Sequence, residues 1–501
     1  MSTDHFDMLI IGAGISGIGA AYHLKKQCPD KTFAILENRD AIGGTWDLFR
    51  YPGIRSDSDM YTLGYNFKPW THPKIIADGH TIREYVQETA RENGIDRHIR
   101  FGHKVLSASW SSADALWTVE AEQKATGKKV KFTCSFLQSC TGYYNYDAGY
   151  TPKFEGREDF KGTVVHPQHW PKDFDYSGKK VVIIGSGATA VTLVPAMTDK
   201  AAHVTMLQRS PTYVATIPEQ DAISNTLRKF LPDMAVYRMG RTRNIALQMG
   251  VFNLAKARPK VLRRLLLGMA RRQLGPEFDM KHFTPNYNPW DERLCAVPDG
   301  DLFRALRKGK ASVVTDHIDR FTADGIRLKS GQTLEADIII TATGLDMQML
   351  GGMKVAVDGK PFEMSKSMNY KGLMFSDLPN FAMVFGYTNA SWTLKSDLTS
   401  EYVCRLLKHM DRTGMRQCTP RNNDPTVNIE PFVSMSSGYI QRALDKLPKQ
   451  GNKAPWKLYM NYAKDLVAIR YGKVDDGVME FSNPAGVENR TLQAAERRYA
   501  S

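Results

Sequence analysis

The feature that most constrains this chain is a glycine-rich turn between a short apolar strand and a helix, because it occurs twice. In the first copy, the apolar run 7–11 precedes the turn and the apolar run 33–36 follows the helix. The turn glycines are Gly12, Gly14 and Gly17. Such glycines let backbone N–H groups approach a pyrophosphate at the helix N-terminus, and the closing acid, Glu37, can accept hydrogen bonds from a ribose hydroxyl. The first copy therefore predicts a dinucleotide site.

The second copy begins at the apolar run 181–184 and ends at the apolar run 204–207. Its turn and helix start comprise Gly185, Ser186, Gly187, Ala188, Thr189 and Ala190. Here Gln208, followed by Arg209, takes the place of the acidic residue. A carboxylate would repel a 2′-phosphate, whereas a guanidinium can bind it with two hydrogen bonds. The first site therefore suits FAD, and the second suits NADPH in preference to NADH.

Both copies are completed by further strands and a Thr-Gly pair. The strand-like segments are 101–105, 116–121 and 130–134 before Thr141-Gly142, and 312–315, 326–328 and 338–341 before Thr343-Gly344. Two complete copies predict an α/β fold with two Rossmann-like domains, the NADPH domain inserted in the FAD domain and carrying a helical sub-insertion. The predicted boundaries are 1–145 and 345–501 for the FAD domain and C-terminal region, 146–220 and 295–344 for the NADPH domain, and 221–294 for the basic helical insertion. A later helix is expected over 396–410.

Composition excludes several other classes of protein. No window approaches 18 consecutive apolar residues, so no membrane-spanning helix is expected. The N-terminus lacks a basic region, and cleavage of a signal peptide would destroy the first glycine turn. The six cysteines are at least six residues apart, which excludes a C-x-x-C pair and predicts free thiols in a reducing cytoplasm. No metal site is expected.

The excess of positive charge is concentrated in one segment. The chain carries a formal net charge of +14, and residues 224–274 contain twelve basic residues and one acid, Asp233. Apolar residues recur at helical spacing within it, namely Leu262, Leu265, Leu266 and Met269. We favour a solvated basic face, while an amphipathic surface attracted weakly to anionic lipid remains the alternative. Nucleic acid is not an expected partner, because no recognition-module signature is present.

Two longer motifs narrow the class of protein that binds FAD and NADPH. Residues 43–57 read GGTWDLFRYPGIRSD, and residues 160–171 read FKGTVVHPQHWP. With these motifs the chain resembles the type I Baeyer–Villiger monooxygenases, a class of flavoprotein monooxygenase. Within that class, GSGATA at 185–190 and QRSP at 208–211 most resemble the branch that includes the ethionamide-activating enzymes.

The resemblance implies a reaction. NADPH reduces FAD, and the reduced flavin captures O₂ as a C4a-peroxide that attacks a ketone carbonyl and yields an ester or lactone. Oxidation of sulfides is implied as well. The peroxide must remain anionic and protected from water, so a fixed cation near the flavin is required. By resemblance that cation is Arg293, and Asp57 lies beside the flavin, orients Arg293 and contacts nicotinamide.

The resemblance also implies contacts for other residues. Arg55 and Ser56 contact NADPH, and Thr45 and Trp46 line the flavin. Ser16 and the backbone at Val105 meet the pyrophosphate and adenine. His166 could be a catalytic base or a metal ligand, but no carboxylate or cysteine lies at the sequence spacing that such a site needs. We therefore interpret His166 as part of the linker between the domains.

Structural interpretations remain open for the catalytic pair: Asp57 as a turn aspartate and Arg293 as a surface arginine. Two alternative functions also remain open. One is a flavin-containing N- or S-monooxygenase that uses a C4a-hydroperoxide and does not need the cation. The other is a non-enzymatic sensor of FAD and NADPH. Sequence does not identify the ketone, and pocket residues are sought around Trp392, Tyr387 and 347–353.

Overall fold

The fold contains two main sheets, and the strand Asp4–Ile11 lies near the centre of the larger one. The last four residues of this strand are apolar and buried. We describe a computed structural model of the chain over residues 4–292, 294–433 and 437–485. The nine strands of this sheet are Asp4–Ile11, Phe33–Leu36, Ile99–Arg100, His103–Ser111, Leu116–Gln123, Lys129–Ser139, Lys354–Val357, Lys360–Pro361 and Phe381–Met383. Strand Asp4–Ile11 pairs in parallel with Phe33–Leu36 on one side and Lys129–Ser139 on the other.

The smaller sheet is entirely parallel. Its strands, in spatial order, are Ala311–Thr315, His203–Gln208, Lys180–Ile184, Ile338–Thr341 and Thr163–Val165. The chain leaves the larger sheet after residue 139, builds the smaller sheet and returns at residue 354. The two crossings pair with each other as the antiparallel strands Tyr144–Gly149 and Leu345–Met347. The predicted fold class, with one Rossmann-like unit inserted in the other, is confirmed.

Shorter sheets and helices surround these two units. The remaining strands pair as Val214–Ile217 with Cys295–Pro298, Ile318–Thr322 with Gly325–Leu328 and Thr333–Glu335, Asn369–Tyr370 with Met374–Phe375, Gln417–Pro420 with Met479–Ser482, and Ile429–Pro431 with Lys449–Gly451. The α-helices are Ile15–Gln27, Thr45–Leu48, Met60–Leu63, Gly79–Glu92, Ala188–Met197, Ala222–Leu227, Asp233–Ala257, Pro259–Leu274, Asp301–Arg307, Trp392–Thr413, Gly438–Gln441 and Tyr462–Asp465. Within the described ranges, no helix combines the length and apolar character needed to cross a bilayer.

The first glycine of each glycine-rich turn makes the same contact. Gly12 has φ +102°, and a Cβ there would lie 2.8 Å from the carbonyl oxygen of Cys140. Gly185 has φ +140°, and a Cβ there would collide with the carbonyl oxygen of Ala342. Cys140 and Ala342 each immediately precede the Thr-Gly pair of their own unit. The Thr-Gly pairs therefore recur because each closing strand delivers its backbone against the glycine turn.

The basic segment forms three helices, Ala222–Leu227, Asp233–Ala257 and Pro259–Leu274. It is anchored by Arg241, which is 8% exposed and donates hydrogen bonds of 2.8 Å to the carbonyl oxygens of Tyr61 and Gly64. The apolar residues that recur at helical spacing divide between two environments. Leu262 and Leu266 are buried, but Leu265 and Met269 face solvent with 53% and 44% of their surface exposed.

Two element boundaries also differ from expectation. The strand expected at 101–105 begins at His103 and runs to Ser111, because Gly102 turns the chain with φ +64°. The helix expected over 396–410 spans Trp392–Thr413. All six cysteines are free, as expected, and the structure buries all of them.

A matched pair of substitutions tests the packing of the first turn. Both Gly17 and Gly268 lie inside helices, but a Cβ at 17 would overlap the carbonyl oxygen of Gly12, whereas a Cβ at 268 meets open space. Gly17→Ala should lower the midpoint of denaturant unfolding, while Gly268→Ala should raise the free energy of unfolding by about 0.5–1 kcal/mol through helix propensity alone. Equal effects of the two substitutions would contradict the proposed close approach.

Candidate active site

A cavity of about 1500 Å³ lies between the two glycine-rich turns. Twelve residues predicted from sequence line it: Gly12, Gly14, Ser16, Glu37, Thr45, Trp46, Arg55, Ser56, Asp57, Val105, Ala188 and Thr189. Seven of the others lie outside its lining: Gly17, Gly185, Ser186, Gly187, Ala190, Gln208 and Arg209. Arg293, the predicted cation, lies outside the described residues.

The first turn forms a cradle for an anion. Helix Ile15–Gln27 begins after Gly14, and none of the side chains in the described residues caps its N-terminus. The N–H groups of its first turn therefore remain available to a ligand, and the helix dipole favours negative charge there. A Cβ on Gly44 would lie 3.1 Å from the Cα of Gly14, so the two loops approach each other through backbone. This donor set and this close approach fit the pyrophosphate of a dinucleotide.

Glu37 stands at the far side of this cradle. Its carboxylate accepts hydrogen bonds of 2.7 Å from the backbone N–H groups of Ala13 and Arg39. Burial raises the pKa of Glu37, and these two hydrogen bonds oppose that shift. Each carboxylate oxygen retains a lone pair after these contacts. The side chain therefore remains able to accept a ribose hydroxyl from the cavity.

The loop 43–57 spans from one glycine-rich unit to the other. Its beginning lies against Gly14, and Thr45 forms a hydrogen bond of 3.2 Å with Tyr146. Its later part packs on helix Ala188–Met197, where a Cβ on Gly53 would lie 2.6 Å from the Cβ of Ala196. The motif thus encodes a connection that runs between both turns along the cavity.

The end of this loop presents its polar residues to the cavity. Asp57 is exposed there, and its charge contributes to the raised pKa of Tyr51, about 12, after the larger effect of burial. Ser56 is buried, and its hydroxyl donates to the carbonyl oxygen of Ser58 at 2.7 Å. Arg55 pairs with Asp301, the first residue of helix Asp301–Arg307, at 2.5 Å.

The second turn is built differently from the first. Helix Ala188–Met197 also begins without a side-chain cap, after Gly187. Ser186 donates to the carbonyl oxygen of Ser210 at 3.1 Å. Gln208, the counterpart of Glu37, is buried, and its amide donates to the carbonyl oxygen of His282 and the hydroxyl of Thr315 at 2.7 and 2.9 Å. Those contacts belong to packing within the unit.

Arg209 is exposed beyond the end of strand His203–Gln208. Burial raises the pKa of Glu292, and the positive charge of Arg209 opposes this shift, so the two side chains are close. The guanidinium is thus placed on the surface beside the second turn.

Several cavity residues were missed by sequence reasoning. They come from distant segments and include Tyr143, Tyr146, Arg243, Leu247, Gln248 and Trp290. Trp392 and Tyr387, singled out only loosely, also line the cavity. The indole N–H of Trp392 donates to the Ser16 hydroxyl at 2.7 Å. No local pattern marks these residues, because tertiary packing alone brings them together.

His166 lies where the chain crosses between the units. A Cβ on Gly149 would collide with the imidazole of His166. The Nδ1 atom of that imidazole accepts a hydrogen bond of 3.2 Å from the backbone N–H of Gln168. Burial lowers the pKa of His166. The ring therefore packs against one of the two crossing strands and lies outside the cavity lining.

Comparison with known proteins identifies the family. A flavin-binding monooxygenase-like family model matches residues 7–227. The FAD-containing monooxygenase EthA of Mycobacterium tuberculosis (strain ATCC 25618 / H37Rv) is 54% identical over 490 residues, which cover 97% of this chain and 100% of EthA. The chain belongs to the FAD-containing monooxygenases. MymA of the same strain is 56% identical over 486 residues, covering 96% of this monooxygenase and 98% of MymA.

Solved structures share the fold of this monooxygenase at lower identity. Oxidized steroid monooxygenase bound to NADP has a TM-score of 0.73 at 22% identity, covering 96% of this chain and 100% of that chain. Cyclohexanone monooxygenase with bound ε-caprolactone has a TM-score of 0.72 at 20% identity, again covering 96% and 100%.

The role of Glu37 can be tested by removing one acceptor. Glu37→Gln places an amide NH₂ against a backbone N–H of Ala13 or Arg39, so we expect the monooxygenase to lose FAD during gel filtration. The ratio of flavin to protein absorbance measures this loss. Glu335→Gln, at an exposed position on a hairpin remote from the cavity, is the matched control and should keep its flavin. Full flavin content in Glu37→Gln would contradict the role.

Proposed function

We propose that this monooxygenase is an NADPH-consuming Baeyer–Villiger enzyme, which converts a ketone, O₂, NADPH and a proton into an ester or lactone, NADP⁺ and water. Sulfides are proposed as a second substrate class. The observation that carries the proposal is the complete 43–57 motif, folded as one loop between the two glycine-rich turns along a single cavity. The bound lactone in the cyclohexanone monooxygenase structure supports ketone chemistry for this fold.

We assign the two units to the two cofactors. The FAD domain comprises 1–145 and the part after residue 345, and the NADPH domain comprises 146–220 and 295–344, with 221–294 as the helical insertion. The uncapped helix after Gly14 and the carboxylate of Glu37 support FAD at the first turn. The uncapped helix after Gly187 and the exposed Arg209 support NADPH at the second.

Bound FAD, reduced by NADPH, supplies the activation of O₂. The residues of the chain bind the cofactors and exclude water. Thr45 and Trp46 line the flavin side of the cavity, and the large rings of Trp46 and Trp392 exclude water from it. Ser16 and the backbone at Val105 bind the pyrophosphate and adenine portions, and Arg55 and Ser56 contact NADPH. Each of these residues except Val105 is held by a described hydrogen bond or ring packing.

Asp57 and Arg293 form the proposed catalytic pair. Asp57 is an exposed carboxylate at the cavity wall, two residues from the Arg55–Asp301 ion pair. An arginine keeps its proton at every working pH, so Arg293 can stabilise the negative charge that develops on the ketone oxygen as the carbonyl is attacked. Asp57 orients that guanidinium and contacts nicotinamide.

We also propose weak peripheral contact between the basic helical insertion and anionic lipid. Eight cations are exposed in its three helices and their connections, residues 222–274: Lys229, Arg238, Lys256, Arg258, Lys260, Arg264, Arg271 and Arg272. An anionic surface attracts such a segment within about one Debye length, roughly 10 Å at moderate ionic strength.

Arg293→Ala should separate the two half-reactions. Anaerobic bleaching of the flavin by NADPH should remain close to the wild-type rate, while ester formation should fall at least about 100-fold, as with loss of an oxyanion donor. Stopped-flow absorbance and gas chromatography of the products measure the two steps. Sulfide oxidation should persist, because a sulfide has no carbonyl oxygen on which charge develops.

Arg272→Ala, at an exposed arginine outside the cavity lining, is the matched control. Retained ester synthesis in Arg293→Ala would overturn the assigned role. If the wild-type enzyme oxidises amines or sulfides but gives no ester from any ketone, the N/S-monooxygenase alternative replaces the proposal.

Arg209→Ala should change the choice of nicotinamide cofactor. Loss of charged hydrogen bonds to a 2′-phosphate should raise the KM for NADPH about 10- to 150-fold, or roughly 1.5–3 kcal/mol. The KM for NADH should change little, because NADH lacks that phosphate. Steady-state rates of cofactor oxidation measure both constants, and equal changes for the two cofactors would remove the assignment.

A further inference from the structure

The cavity opens to the surface beside two exposed apolar side chains. Ile223 and Leu247 both line it, yet 63% and 57% of their surfaces face solvent. Their helices are joined next to these residues by an ion pair between Asp221, the N-cap of helix Ala222–Leu227, and Arg243, one turn before Leu247. The two apolar side chains therefore mark the mouth of the cavity.

The mouth belongs to a wider apolar surface on the helical insertion. Nine of the fourteen large apolar side chains exposed in the described ranges lie on it: Ile223, Phe230, Leu231, Met239, Leu247, Val251, Val261, Leu265 and Met269. Spacings of eight and four residues place Met239, Leu247 and Val251 on one face of helix Asp233–Ala257. Spacings of four align Val261, Leu265 and Met269 on the next helix. We call these nine residues the apolar surface.

Positive charge surrounds the apolar surface. Residues 222–274, which hold these helices and their connections, expose eight cations and one acid, Asp233. Of these cations, Lys256 lies 3.7 Å from Asp291, which follows the helices within the insertion. Exposed apolar side chains among lysines and arginines match the interface of an anionic bilayer, where the apolar groups enter the acyl region and the cations meet headgroups.

We propose that the apolar surface docks on an anionic bilayer, with the cavity mouth facing the lipid, and that the enzyme draws its ketone from the hydrocarbon region. The ketone is then one that partitions into the bilayer. This inference rests on the proposed Baeyer–Villiger function. The buried Arg241, which faces Asp397 at 3.4 Å, fixes the insertion to the larger unit, so docking needs no rearrangement of the helices.

Sedimentation with vesicles tests the docking step, using the intact flavoprotein. We expect it to pellet with vesicles that contain phosphatidylglycerol at low salt, to be released at high salt, and to stay in solution with phosphatidylcholine alone. Arg264→Glu combined with Arg272→Glu should weaken this pelleting at least about tenfold. Leu265→Ser combined with Met269→Ser should weaken it without changing the net charge. Failure of the wild-type protein to pellet at low salt would overturn the proposal.

A pair of ketones tests the delivery of substrate. Phosphatidylglycerol vesicles should raise kcat/KM for 2-tetradecanone at least about tenfold over phosphatidylcholine vesicles, and should leave kcat/KM for the water-soluble 2-butanone unchanged. The double charge reversal should abolish the gain with 2-tetradecanone. Ile223→Ser combined with Leu247→Ser should reduce the gain even when the variant is fully bound to vesicles. Pelleting without any gain for 2-tetradecanone would overturn substrate delivery.

The outcomes separate this inference from the proposed function. If neither ketone gives an ester, the Baeyer–Villiger proposal fails, and the sedimentation result alone decides whether the surface docks. A second copy of the chain is the competing occupant of the apolar surface. Light scattering that shows a dimer, converted to monomer by Leu265→Ser and Met269→Ser in the absence of lipid, would overturn docking on a bilayer.

Discussion

The close backbone packing of loop 43–57 against both glycine-rich turns fixes how the two units of this flavoprotein face each other. At its start the loop contacts the first turn through Gly44, and later it contacts the helix of the second turn through Gly53. Gly53 has φ +73°, and a Cβ there would press on Ala196. Because neither approach leaves room for a side chain, loop 43–57 holds the first turn and helix Ala188–Met197 close to each other. The cavity and the residues that line it depend on that distance.

Most of the fold could be predicted from local sequence patterns. The strands beside each glycine turn could be predicted almost to the residue, since short apolar runs between turn signals leave few other structures. The strand at His103–Ser111 was placed wrongly, because the positive φ of Gly102 was not recognised as a turn. Leu265 and Met269 are exposed although they recur at helical spacing with buried leucines, because spacing alone does not say which side of a helix the core will cover.

The candidate site also contains residues that local sequence patterns reveal and residues that only tertiary packing brings together. The cavity residues that belong to the two turns and to loop 43–57 could be predicted, because they are close in sequence and follow known motifs. Tyr146, Gln248 and Trp290 could not, since only the folded chain brings them to the cavity. Gln208 is a case in which a sequence pattern alone misleads. Its alignment with Glu37 suggests a cofactor contact, whereas its amide donates hydrogen bonds to His282 and Thr315 of its own unit. The role of Arg293 stays a prediction.

The burial of the thiols has a consequence for the durability of this enzyme. A monooxygenase that loses reducing equivalents to oxygen exposes itself to hydrogen peroxide, which attacks cysteine as the thiolate. Burial raises the pKa of Cys134 and Cys140, and it raises that of Cys418 to about 12, so these sulfurs remain protonated. All six cysteines lie beneath the surface. The thiols of Cys134, Cys140 and Cys418 are thereby shielded from oxidation by peroxide over many turnovers.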